Sequence, residues 1–280
     1  MEVKIIPALN DNYMYLIIDP STKKAAAVDP VDPNKVLQAV AEEEVQLTAV
    51  LTTHHHFDHA GGNKKLVAKV GKDNIRVYGG DDRIYGVTDE TKVAHNMTIQ
   101  LGSLIVTCLQ TPCHTTGHIC YYIQNYNNSS VFTGDTLFLA GCGKFFEGTG
   151  VEMYHSLVTV LSSLPGNTKI YCGHEYSLSN LKFAAYVEPQ NSFLKNKLIW
   201  AQERRDKGLT TIPSTIDEEL KYNPFMRVDT PEMQQRCGTQ SGVDTMNYLR
   251  NEKDNFSPLT IGTVFRFAYW YIWSHYQNFW

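Results

Sequence analysis

The heptapeptide Thr53-His54-His55-His56-Phe57-Asp58-His59 gathers imidazoles and a carboxylate into one short stretch of chain. Imidazole and carboxylate together suit zinc, iron or manganese, whereas calcium prefers an all-oxygen shell. His54, His56 and Asp58 alternate at period two, so an extended chain projects them to one side. A helical turn beginning near Asp58, with Ala60-Gly61-Gly62 leaving room for close approach, swings His59 beside Asp58. One loop then supplies two ligand pairs, His54/His56 and Asp58/His59. His55 points away from them and is left out of the set. The bland alternative is a solvated His-rich loop, and it is disfavoured because this spacing follows a buried strand in register.

Three further segments end strand-like runs in the same way. Residues 104–111 stop at Pro112-Cys113-His114, residues 131–135 stop at Asp135, and residues 169–174 stop at His174. One histidine after one strand is more often structural than metal-bound. Four such segments together carry five histidines (His54, His56, His59, His114, His174) and two aspartates (Asp58, Asp135), enough for two cations that share one carboxylate. His95, His118, His155 and His275 are read as structural, although His118 lies close enough to support a ligand.

The elements that must position these groups alternate between strand and helix. Residues 47–53 are rich in β-branched and apolar side chains and read as a buried strand running into the histidine loop. Residues 13–19 and 24–29 flank Pro20-Ser21-Thr22 as a hairpin-like pair. Asp32-Pro33 reads as an N-cap with proline at the first helical position, and Val36, Leu37 and Val40 form the buried face. Thr149 and Glu152 form a capping box ahead of the stripe Tyr154, Leu157, Val158, Leu161, which closes at Pro165-Gly166. Such alternation predicts an α/β layer protein.

The order H-x-H-x-D-H, then His114, Asp135 and His174, resembles the metallo-β-lactamase superfamily. Within it, Thr-His-His-His-Phe-Asp-His-Ala-Gly-Gly, Thr-Pro-Cys-His-Thr-Thr-Gly-His, Phe-Thr-Gly-Asp-Thr-Leu-Phe, Ala-Gly-Cys-Gly-Lys-Phe-Phe-Glu-Gly and Tyr-Cys-Gly-His-Glu-Tyr are similar to the hydroxyacylglutathione hydrolases, also called glyoxalase II. The likeness runs from residue 1 to about residue 257. It implies a four-layer αββα sandwich over residues 1–176, a mostly helical glutathione-binding unit over 177–257, and an extension over 258–280 that belongs to neither.

The same resemblance implies roles. His54, His56 and His114 would hold a first cation, Asp58, His59 and His174 a second, and Asp135 would bridge them. Zinc is the first choice of metal, with iron or manganese as alternatives. Asp58 and Asp135 would orient the hydroxide between the cations, whose bound water ionises near pH 7 and supplies the nucleophile for a thioester carbonyl. A departing thiol with a pKa near 8.5 needs no dedicated protein acid. Lys144, Phe146, His174 and Tyr176 would line the glutathione site.

Past His174 the composition turns helical. Leu181, Ala184, Ala185, Leu194, Leu198 and Ala201 recur at helical spacing between residues 180 and 206, residues 222–227 read as a turn, and residues 243–254 read as a further helix. Arg250 and Lys253 on that last helix are three apart and share a face. By themselves they would be a solvated charged surface. The resemblance makes them donors to the carboxylates of a glutathione thioester, a small-molecule partner whose two carboxylates suit guanidinium and ammonium groups. The chain departs from the family at Phe146, where tyrosine is usual, and at Asn251, where a second basic residue is frequent. The competing readings are a persulfide dioxygenase with one iron, a lactonase, or a non-catalytic metal-binding module. The helical second unit and Lys144 with Arg250 and Lys253 argue against the first two, and the complete ligand set argues against the third.

Composition bounds the remaining choices. The chain has 280 residues, 42% hydrophobic and 19% charged, which fits one large or two modest globular domains. A net charge of -4 offers no basic field for nucleic acid. The six cysteines contain no C-x-x-C and suit free thiols in a reducing compartment. The first residues show neither a secretory nor a transit pattern, so the cytoplasm is expected. Residues 259–280 carry nine aromatics, but Arg266 within the apolar run would cost roughly 2.5–3.5 kcal/mol at a bilayer centre, and the run falls short of the roughly 20 residues of a span. No transmembrane span is expected. Docking of this extension on the protein or on a like subunit is expected first, with attachment at a membrane surface or a loose tail as the alternatives, and the choice between monomer and self-association stays open.

Overall fold

The computed structural model describes residues 1–124 and 128–257. The aromatic extension, and with it the expectation of docking, lies outside the described residues. The chain opens with β1 (Glu2–Ala8), β2 (Asn12–Asp19), β3 (Lys24–Val28), α1 (Pro33–Glu42), β4 (Gln46–Leu51), α2 (Phe57–Ala60), α3 (Asn63–Val70) and β5 (Arg76–Tyr78). These five strands form one sheet in sequence order. Two antiparallel pairings are followed by two parallel ones, and α1 makes the crossover from β3 to β4. Asp32 caps α1 by accepting from the backbone of Asn34 and Lys35, and Pro33 occupies the first helical position, where its missing N–H costs nothing.

A second sheet follows with β6 (Thr98–Leu101), β7 (Leu104–Gln110), β8 (Ile119–Ile123) and β9 (Ser130–Gly134). A short hairpin comes next, β10 (Leu137–Phe138) and β11 (Gly141–Cys142), then α4 (Gly150–Tyr154) and β12 (Lys169–Cys172). With β13 (Ser214–Thr215) the second sheet runs β13-β12-β9-β8-β7-β6, and β9 and β12 lie parallel. Thr149 and Glu152 make the expected capping box before α4. The helix then widens into π geometry over His155–Val160, still burying Leu157 and Leu161.

Period two sorts the strand side chains between layers. From β2, Tyr13, Tyr15 and Ile17 face the second sheet, where they meet Tyr121, Phe132 and Tyr171, while Met14, Leu16 and Ile18 face the layer of α1 and α3. The second sheet repeats the division, since Ile119, Tyr121 and Ile123 join the inter-sheet core and Cys120 and Tyr122 join the helices beyond. Helix, sheet, sheet and helix stack in that order, which is the four-layer αββα sandwich.

The chain continues through α5 (Ser177–Val187), α6 (Ser192–Asp206), α7 (Ile216–Tyr222), α8 (Pro231–Cys237) and α9 (Gly242–Asp254). The helical pattern of residues 180–206 is broken after Val187, because Pro189 cannot continue a helix and Asn191 caps the next one. Among the described residues, no helix is long and apolar enough to cross a membrane. All six cysteines are buried free thiols.

Candidate metal centre and its cleft

β4 carries the chain between the sheets to Thr52, Thr53 and His54, all fully buried. His54 and His56 leave the strand as an extended pair. The period-two pattern ends there, since Phe57 already begins α2, and Asp58 and His59 reach the centre from the first turn of that helix. His114 arrives from the loop after β7, Asp135 from the end of β9, and His174 from the end of β12. Two glycines permit this convergence. A Cβ on Gly173 would stand 2.3 Å from Asp135 Oδ1, and one on Gly134, whose φ is +44°, would stand 2.4 Å from Thr53 Oγ1.

The seven groups form two clusters. His56 Nδ1 is 3.0 Å from His54 Nε2 and 3.1 Å from His114 Nε2. His174 Nε2 is 3.3 Å from both His59 Nε2 and Asp58 Oδ2. Asp135 lies between them, with Oδ2 at 3.4 Å from both His114 and His174 and Oδ1 at 3.4 Å from His59. Zinc–nitrogen bonds of about 2.0–2.1 Å place tetrahedral ligands about 3.3 Å apart, so these are the separations of donors around common cations. Asp135 Oδ1 is buried without a hydrogen-bond partner, a state that a carboxylate tolerates when a cation completes it. His54, His59 and Asp135 make a third close group, so the two clusters adjoin.

Nearly every ligand is braced from behind. Asp29 accepts from Thr53 N at 2.8 Å and Thr53 Oγ1 at 2.7 Å, and it faces His59 Nδ1 at 2.8 Å. Asp11 meets His174 Nδ1 at 2.9 Å, Thr53 Oγ1 meets His54 Nδ1 at 3.0 Å, and His114 Nδ1 donates to the Lys144 carbonyl at 3.0 Å. Asn12 donates to Asp58 Oδ2 at 3.2 Å. His118 is fully buried, and its Nε2 accepts the Asp135 N–H at 3.2 Å, which puts its proton on Nδ1 facing Thr111 and Thr136. These contacts fix the tautomers so that one nitrogen of each ring faces inward.

Electrostatics divides the two clusters. Burial holds the imidazoles of His54, His56 and His114 below their ordinary range, leaving neutral rings with a free lone pair. Burial also acts on His59 and His174, but the carboxylates of Asp135, Asp29 and Asp58 outweigh it and hold both well up, so these two shed a proton on taking a cation.

The clusters open into a cleft of about 560 Å³ whose far wall carries Lys144, Tyr176, Asn180, Arg250 and Lys253. Tyr176 stacks on His174, with centroids 4.7 Å apart and planes at 3°. The Phe146 ring is 5.2 Å from that of His114 and 5.8 Å from that of His56, and it is 62% exposed. Arg250 donates to the Cys142 carbonyl at 3.1 Å and to Asp254 at 2.7 Å, while its Nε is buried without a partner. Burial, with Arg250 beside it, brings the Lys253 ammonium down to about 7, a strain that an anion relieves. Asn251 is exposed on the other side of α9, away from these groups.

Every residue expected at the centre or in its cleft is brought there, and His55 is turned outward to Asp81 at 3.5 Å. Asp11, Asn12 and Asp29 also belong to the site, though no motif in the sequence marks them. Asp29 carried a faint signal, an acid just after a strand and before proline, which repeats the pattern of the other ligand segments.

Residues 12–174 match the family described as the metallo-beta-lactamase superfamily, and residues 175–256 match the hydroxyacylglutathione hydrolase C-terminus. The chain is 52% identical over 260 residues to the cytoplasmic hydroxyacylglutathione hydrolase of Arabidopsis thaliana, an alignment that covers 91% of this chain and 99% of the relative. It is 49% identical over 259 residues to a hydroxyacylglutathione hydrolase-like protein of Gallus gallus, covering 91% and 90% of the two chains. The crystal structure of ETHE1 from Myxococcus xanthus shares the fold with a TM-score of 0.66 at 26% identity, covering 92% of this chain and 93% of that one.

Proposed function

Because the chain belongs to the hydroxyacylglutathione hydrolase family within the metallo-beta-lactamase superfamily, we propose that it cleaves S-D-lactoylglutathione and related S-2-hydroxyacylglutathiones to glutathione and the free 2-hydroxy acid. The observation that carries this substrate is the cleft itself, where the His/Asp clusters face Lys144, Arg250 and Lys253 across one opening. We assign residues 1–176 to catalysis, residues 177–257 to holding glutathione, and the working compartment to the cytoplasm, which suits free thiols.

The donor set fits two divalent cations: His54, His56 and His114 for one, Asp58, His59 and His174 for the other, and Asp135 for both. Nitrogen and oxygen donors admit zinc first, with iron or manganese as alternatives. When bound, the pair supplies Lewis acidity toward the carbonyl oxygen and a water that ionises near neutral pH. Asp58, whose carboxylate accepts from Asn12, and Asp135, whose backbone N–H donates to His118, would be placed to orient a water toward the thioester carbon. Lys144, Arg250 and Lys253 bind the carboxylates of the thiol portion, Tyr176 presents its hydroxyl from the face of His174, and Phe146 offers the substrate an apolar ring beside His56 and His114. The thiolate leaves without a protein acid, since its ordinary pKa of about 8.5 already makes it stable.

Lys253→Ala is expected to raise KM by about 10-fold or more and to lower kcat much less, because it removes a charged hydrogen bond from a part of the substrate that does not react. Steady-state kinetics decide it, and a collapsed kcat at unchanged KM contradicts the role. Phe146→Tyr restores a hydroxyl at an exposed position and is expected to lower KM by roughly 2- to 10-fold, the worth of one neutral hydrogen bond. An unchanged KM would remove residue 146 from the thiol site. The function as a whole is tested by following hydrolysis of S-D-lactoylglutathione beside other thiol esters and a lactone, with metal analysis of the same sample. Two bound metals with no thioester turnover would sink the reading.

A further inference from the structure

The hairpin β10–β11 joins Asp135 to Lys144, and beside its own pairing and the Thr133 hydroxyl on the Leu137 carbonyl at 2.7 Å, its main chain is held by side chains of the helical unit. Asn223 Nδ2 donates to the carbonyls of Phe138 at 3.3 Å and Gly141 at 3.1 Å. Asn180 Nδ2 donates to the Leu139 carbonyl at 3.0 Å, Glu219 Oε2 accepts the Ala140 N–H at 2.8 Å, and Arg250 donates to the Cys142 carbonyl at 3.1 Å. Asn223 also donates to Glu219 Oε2 at 3.0 Å, and the Tyr222 hydroxyl donates to Oε1 at 3.0 Å, so the clamp is cross-linked. Glu219 and Asn223 are fully buried and face the turn, away from the cleft.

The turn needs the help. Ala140 has a φ of +55°, in the left-handed region that disfavours an L side chain, and the backbone at Gly141 passes so close to Asn180 that a Cβ there would lie 2.7 Å from its amide. What the turn fixes extends in both directions along the chain. Gly143 N donates back to the Thr136 carbonyl at 3.2 Å, next to Asp135, and the Lys144 carbonyl accepts from His114 Nδ1 at 3.0 Å. The clamp therefore acts on two ends at once, a carboxylate in the metal cluster and an ammonium in the cleft.

We propose that Glu219 and Asn223 are positioning residues for the reaction, by which the helical unit sets the placement of Asp135 and Lys144 through the backbone of residues 137–143. The proposal rests on the roles given above to Asp135 and Lys144. Burial pushes the Glu219 carboxyl up to about 7, so it is only partly ionised near neutral pH, and Glu219→Gln keeps the shape and an oxygen that accepts the Ala140 N–H.

The test compares Glu219→Ala, Glu219→Gln, Asn223→Ala and Asn223→Ser in the full chain, with Asp135→Ala and Lys144→Ala as references. Zinc affinity is measured by competition with a chromophoric chelator, and KM and kcat are measured on S-D-lactoylglutathione well below each variant's Tm. The expected result is a 10- to 100-fold loss of zinc affinity together with a raised KM in the alanine variants, the range seen when a ligand's support is removed, and partial recovery in Glu219→Gln. If the alanine variants do not fold, Glu219→Gln and Asn223→Ser carry the comparison at smaller amplitude. Variants that lose only Tm, with zinc affinity and KM unchanged, overturn the proposal while the reading of Asp135 and Lys144 stands. If Asp135→Ala itself keeps two zinc ions, that reading fails, and this inference with it.

Discussion

Asp135→Ala is expected to leave a folded chain that retains neither full metal occupancy nor useful turnover. The carboxylate stands 3.4 Å from His59, His114 and His174 and, among the described residues, is the oxygen donor these distances place between both clusters. On the proposed assignment its removal would take a ligand from each cation at once, and it leaves five imidazoles facing each other with one carboxylate fewer. Loss of a single donor to a developing oxyanion costs roughly 10²–10³-fold in rate, so losing the shared ligand should cost at least that. Metal content by elemental analysis and turnover on the same preparation decide it. Two metals per chain with near-normal turnover would refute the bridging role.

Asp29→Ala should rank next, although Asp29 touches no proposed substrate atom. Its buried carboxylate ties Thr53 N, Thr53 Oγ1 and His59 Nδ1 together, so one side chain fixes the exit of β4 and the orientation of a ligand. Removing one member of a buried charged network destabilises by about 3–5 kcal/mol. Metal affinity should also fall by about 10- to 100-fold through His59. Asp29→Asn keeps an acceptor for Thr53 and should recover stability more than metal affinity. The measurements are denaturant unfolding and chelator competition, and equal recovery of both quantities would mean that Asp29 serves the fold alone.

The centre was legible because its signals are local. His54-x-His56 and Asp58-His59 follow a buried strand, and His114, Asp135 and His174 each end one, so strand direction alone points them toward one end of the sheets. The helices of the second unit were legible from periodicity, but the break at Pro189 and the π segment after Tyr154 were not separated from ordinary helix. What stayed hidden depends on distant pairing. Asp29 supports a histidine 30 positions away, and Glu219 holds an N–H 79 positions away. No period or motif in a single chain announces such contacts, because one buried carboxylate reads the same whether it meets solvent, a cation or a turn. Arg250 and Lys253 show the same limit, since their spacing gives a shared face but not that the face is buried against the hairpin.

An enzyme that releases a thiol at every turnover works among potential disulfide partners. Exchange begins with a thiolate attacking an accessible sulfur, so it is governed by ionisation and exposure together. In this chain both are withheld. Burial pushes the thiols of Cys108, Cys120 and Cys172 up to about 12 and that of Cys142 up to about 11, and raises Cys113 and Cys237 as well. Even Cys142, in the wall of the cleft, is only 2% exposed. Six cysteines are thus carried through the fold as small apolar side chains, poorly placed to attack a disulfide formed from the released thiol.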